Sequence, residues 1–115
     1  MDFDFRQGLG IFSRPFFTFI EAKWEEMRLA LLQGDIEKAT SYFVNSSQEE
    51  YRQIFRNLGE ENIRVIFENM KDFEVDEILN RVAECGVSRV EETGEYSCPV
   101  SFILDGDGVW KILGF

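Results

Sequence analysis

The sequence predicts an α+β domain in which N-terminal helices pack on one face of a curved antiparallel sheet of about four strands. Three observations carry this expectation. Apolar residues recur at helical spacing from about Arg14 to Met70, then with period two from about Phe73 to Phe115. Turn signals at Thr93-Gly94 and Gly106-Asp107-Gly108 divide the second half into hairpins. Helices that precede the strands, instead of alternating with them, give segregated layers.

The first helix is expected to open at Ser13 as cap, with Pro15 in its first turn. Phe16, Ile20, Trp24, Met27 and Leu31 make one apolar stripe, and Gly34 ends the helix. Asp35 caps a short second helix, "IEKATSYFV", with Ile36, Ala39, Tyr42 and Phe43 inward. Ser47 and Glu50 have the spacing of a capping box for a third helix that stops at Gly59. "ENIRVIFENM" reads as a fourth. Residues 1–12 form an N-terminal segment, and 13–115 a single domain.

Four strands follow: "FEVDEIL", "RVAECGVSRVE", "EYSCPVSFILD" and "VWKILGF". A Thr93-Gly94 loop sets Val87 opposite Val100, Cys85 opposite Phe102 and Ala83 opposite Leu104, all on one face. In the last hairpin a two-residue loop would place Lys111 against Phe102. A three-residue Gly106-Asp107-Gly108 loop instead sets Phe102 against Ile112 and Leu104 against Trp110, so the pattern selects the bulged turn with Gly108 left-handed. The predicted register holds Cys85 and Cys98 roughly 13 Å apart along the sheet, too far for a disulfide.

Composition bounds the function. Twenty-two acidic residues against 12 basic ones give a formal charge of −10, which repels nucleic acid and anionic membrane surfaces. Histidine is absent, removing the commonest neutral-pH base and metal ligand. No apolar run is long enough for a membrane span, and "MDFDFRQGLG" lacks the basic start of a signal peptide. The expectation is a cytoplasmic domain, or an exported one if a leader has been removed.

"DGDG" at 105–108 invites a calcium reading, but Val109 stands where the fifth position needs a ligand, and the twelfth position falls past Phe115. It is read as a turn, and no metal or cofactor is expected. Cys85 and Cys98 lack a base and read as core. Two sets remain. Trp24, Tyr42, Phe43, Tyr96 and Trp110 either fill the core or line a pocket for a small apolar ligand at the open end of the layers. Val82, Val90, Ile103, Leu113 and Phe115 make the outer sheet face unusually apolar. That face suggests an interface, either a homodimer or cover by residues 1–12, with the homodimer favoured.

"FIEAKWEEMRLALLQGDIEKATSYF" and the terminal "YSCPVSFILDGDGVWKILGF" together resemble the cystatin-like superfamily of nuclear transport factor-like domains. The shared features are the long first helix with a Trp, the Gly-Asp and Glu-Lys-Ala steps after it, and the final D-G-x-W-x-I hairpin. The resemblance implies a cone-shaped fold and dimerisation through the sheet. It leaves activity open, because the superfamily holds isomerases, dehydratases and transport adaptors. Its enzymes resemble one another in a pocket Asp or His base with a Tyr or acid donor. Here no histidine exists; Tyr42 and Tyr96 are the candidate donors, and a carboxylate such as Glu84 or Asp76, with Tyr96 as donor, is the pairing to try in those roles. The expected function is a non-catalytic module for protein association or apolar-ligand binding; the alternative is an isomerase- or hydrolase-like enzyme using such a carboxylate and tyrosine.

Overall fold

The computed structural model describes residues 7–115, and their side chains from Phe19 onward. Three helices, α1 (Gln7–Leu32), α2 (Ile36–Thr40) and α3 (Asn45–Glu68), precede four strands, β1 (Met70–Leu79), β2 (Val82–Glu91), β3 (Gly94–Leu104) and β4 (Trp110–Gly114). The strands form one antiparallel meander in the order β1-β2-β3-β4, curved but not closed, with the helices against one face.

α1 begins at Gln7, so Ser13 and Pro15 lie inside it and not at its start. Ile20, Trp24, Met27 and Leu31 are all buried as one stripe; the side chain of Phe16 lies outside the described residues. The helix closes with Gly34 at φ +83. Its N–H donates to Leu31 O, and Asp35 N–H donates to Ala30 O, which satisfies two end carbonyls. Asp35 then caps α2 by accepting from Lys38 N–H at 3.1 Å. α2 is shorter than the sequence suggested, because Phe43 leaves the helix to bridge Ile112 of β4.

The third and fourth expected helices are one element, α3, broken at Gly59, whose φ of 82° and ψ of 162° are not helical. The capping box does not form. Val44 occupies the cap position, and Ser47 is drawn away to donate to Leu113 O at 3.0 Å. β1 opens at Met70, three residues before the expected Phe73.

β2 and β3 pair two residues out of the expected register. The loop is Glu92-Thr93, with Glu91 opposite Gly94, so Cys85 faces Val100 and Ala83 faces Phe102. A slip of two keeps every side chain on its face, so the inward set is unchanged. It does bring Cys98 and Cys85 to diagonal positions, closer than expected. Diagonal neighbours sit about 7–8 Å apart, and both thiols are free.

The last hairpin has the expected register, Phe102 with Ile112 and Leu104 with Trp110. Gly108 is left-handed at φ +80, and Asp105 pairs with Val109. Asp105 also accepts from Asp107 N–H at 2.8 Å and Val109 N–H at 3.0 Å, so the first Asp of "DGDG" fastens the turn.

Candidate functional site

The inner face of the sheet is filled. Ala83, Cys85, Val87, Val100, Phe102, Trp110 and Ile112 are buried against α1, α3 and Phe43. Of the five aromatic residues read as filling the core or lining a pocket, Trp24, Phe43 and Trp110 belong to this core. Tyr42 packs at its margin under Lys23, with Nζ 5.7 Å from the ring centre; burial, then a hydrogen bond to Glu26, raises its phenol pKa. Tyr96 is 46% exposed and hydrogen-bonds Thr93 near the β2–β3 turn. The five do not converge on one cavity.

Phe115 is the residue that sequence reasoning misplaced. It was expected on the outer face, yet its ring lies 5.4 Å from Trp24, 5.3 Å from Tyr51, 6.0 Å from Phe43 and 6.1 Å from Phe67. The cause is a bulge. The ladder runs from Phe102–Ile112 to Ser101–Gly114, so Leu113 is an extra residue on β4. One inserted residue reverses the alternation, and Phe115 turns inward to cover the aromatic core. Phe73 stacks on Trp24 at 5.7 Å from the other side.

Two surface features remain. The first is an open cleft of about 920 Å³ between α1 and the free edge of β1. Its walls include Glu21, Glu25, Asp72, Glu74 and Asp76, with Lys71 as the one basic side chain and Trp24 and Phe73 at its base. It opens where β1 departs from its ladder between Lys71 and Glu74, at left-handed Asp72. Gly86 makes room there: the carboxylate of Asp76 and the hydroxyl of Ser97 each lie 3.5 Å from where a Cβ would stand.

The second is the outer face of the sheet. Leu79, Val82 and Ile103 stand in one cross-strand row, with Lys111 at its β4 end. Leu79 is 66% and Leu113 41% exposed. Val90 is also exposed on this face, but at its far end beside Glu95. Next to the apolar row, Glu77 pairs directly with Glu84, and Glu84 accepts from Ser101 at 2.9 Å.

The carboxylates tried with Tyr96 are not brought to it. Glu84 and Asp76 are exposed, Glu84 on the outer face and Asp76 at the β1 edge, while the inward positions of β2 between them are apolar. Burial first, then the nearby charges of Asp76 and Glu84, pushes the Cys85 thiol up to about 12, so it carries no thiolate at neutral pH. Among the described residues no cluster of three potential metal ligands occurs, and no helix is long and apolar enough to cross a membrane.

No protein-family model matches the chain, and no curated protein matches it in sequence. Among solved structures it is similar to a Campylobacter jejuni protein provisionally named an NTF2-like transpeptidase, NTF2 being a nuclear transport factor. The match has a TM-score of 0.53 at 18% identity, over 81% of this chain and 95% of the other. The likeness is one of fold, and it agrees with the helix order and the sheet described above: this chain adopts the NTF2-like fold.

Proposed function

We propose that this chain is a non-catalytic NTF2-like module that works by associating with protein through the outer face of its sheet. The observation that carries the reading is the row Leu79, Val82 and Ile103, with Leu113 beside it. Among the described residues Leu79 and Leu113 are exposed, and Val82 and Ile103 beside them are half-buried apolar side chains on the same ladder. Contiguous exposed apolar surface of this kind marks interaction sites. The apolar-ligand reading loses ground because buried Trp24, Phe43, Phe55, Phe67 and Phe102 fill the interior that would hold a ligand, with Phe115, 38% exposed, lying over them.

The name of the Campylobacter protein lends no acyl-transfer reading to this chain. Such a nucleophile needs an adjacent base or a lowered pKa; histidine is absent, and the Cys85 thiol is buried and raised.

The test is photo-crosslinking in cells from a photoreactive residue placed at Val82, compared with one at Val65 on exposed α3. Protein adducts from position 82 and none from 65 support the reading. Equal yields from both positions, or none from 82, refute it.

A further inference from the structure

The outer face carries charge information about what covers it. Glu77 and Glu84 are directly opposite on neighbouring strands, an arrangement that is unfavourable in isolation. Neither has an ion-pair partner among the described residues, whereas seven other carboxylate–guanidinium contacts are made elsewhere. Two cations near this face are engaged elsewhere: Lys111 donates to Ser41 O at 3.2 Å, and Arg81 of the β1–β2 turn to Leu104 O at 3.1 Å. Among the described residues an apolar row thus lies against an acidic pair with no ion-pair partner, on a chain of charge −10.

A second copy fits this poorly. A two-fold interface can draw only on the patch's own charges, so it sets two Lys111 against four glutamates and brings together two chains of charge −10. We infer that the occupant is a different protein segment in which apolar and basic side chains alternate. Its apolar residues would cover Leu79, Val82 and Ile103, and its Lys or Arg would neutralise Glu77 and Glu84. This rests on the proposed association surface and specifies its partner's chemistry.

The probe is a fluorescein-labelled peptide, Lys and Leu alternating over seven residues, with a Glu/Leu peptide as control, read by anisotropy at low salt. The Lys/Leu peptide should bind the wild-type chain and lose at least tenfold in affinity to the surface variant E77K/E84K, and likewise to L79S/I103S. The Glu/Leu peptide should not bind. Equal binding of both peptides, or an affinity unchanged by E77K/E84K, overturns the inference. A wild-type dimer by light scattering that dissociates in L79S/I103S also overturns it, while leaving the association surface intact. Failure of peptide binding together with no adducts from position 82 removes both.

Discussion

The hydroxyl of Tyr51 holds the backbone of Phe115 from both sides, accepting from its N–H at 2.9 Å and donating to its main-chain oxygen at 3.0 Å. One helical turn earlier, Ser47 holds Leu113 O. Ile112 exchanges hydrogen bonds with Tyr42 and Val44 on the same edge. The β4 edge is therefore occupied by the chain's own groups, as an edge strand requires if it is not to recruit another chain. Tyr51→Phe keeps the ring stack on Phe43, 4.5 Å between centres, and removes both hydrogen bonds. It should cost about 1 kcal/mol, measured by urea denaturation. An unchanged midpoint would mean that these bonds contribute nothing.

Gly59 breaks α3 with a φ, ψ pair open essentially only to glycine. Gly59→Ala should destabilise by about 1–3 kcal/mol, although no atom would crowd the added Cβ. Gly106→Ala, in open space without positive φ, should stay within about 0.5 kcal/mol of wild type. Equal effects at the two sites would show that backbone conformation is not what α3 needs from Gly59.

The Cys85 thiol stands at about 12 in the fold against an ordinary 9.0. The native state thus holds its proton through a range where the unfolded chain has released it. This contribution to stability is complete below about pH 9 and declines toward pH 12, by up to about 1.4 kcal/mol per pH unit. Denaturation of wild type and Cys85→Ala from pH 8 to 10.5 should show the steeper decline in wild type; parallel curves would contradict it. Half-buried Cys98 should be alkylated well before buried Cys85.

Asp105 behaves oppositely. Hydrogen bonds first from Val109 N–H and then from Asp107 N–H lower its pKa below 3.8. Its contribution is present above that value and fades as pH falls through the lower folded one. Asp105→Ala should therefore lower Tm at pH 6 and make less difference at pH 2.5. Asp105→Asn, which keeps an oxygen acceptor, should be milder at pH 6. A Tm gap independent of pH would detach the carboxylate from the turn.

Much of this was legible in the residues, for identifiable reasons. The Gly106–Gly108 loop could be deduced because only one loop length kept Lys111 off the face of Phe102. The β2–β3 register could not be fixed that way: a slip of two exchanges one apolar partner for another, Val100 for Phe102 opposite Cys85, and leaves the inward–outward pattern unchanged. Phe115 was misplaced because alternation carries no mark of a bulge; its signal lies on α3, where Ser47 and Tyr51 sit four apart to meet a shifted strand end. The charge on the outer face was equally hidden, since Glu77 and Glu84 become neighbours only after the extra residue at Asp76.

The central question is which face of the sheet is the working surface. Amide chemical shifts of the ¹⁵N-labelled chain, followed as the Lys/Leu peptide is added, test this most directly. Shifts should gather at Leu79, Val82, Ile103 and Leu113 and at Glu77 and Glu84, with Trp24, Phe43 and Phe115 unmoved. Shifts centred on Trp24, Phe73 and Phe115, or spread along the acidic cleft between α1 and β1, would contradict the outer-face reading.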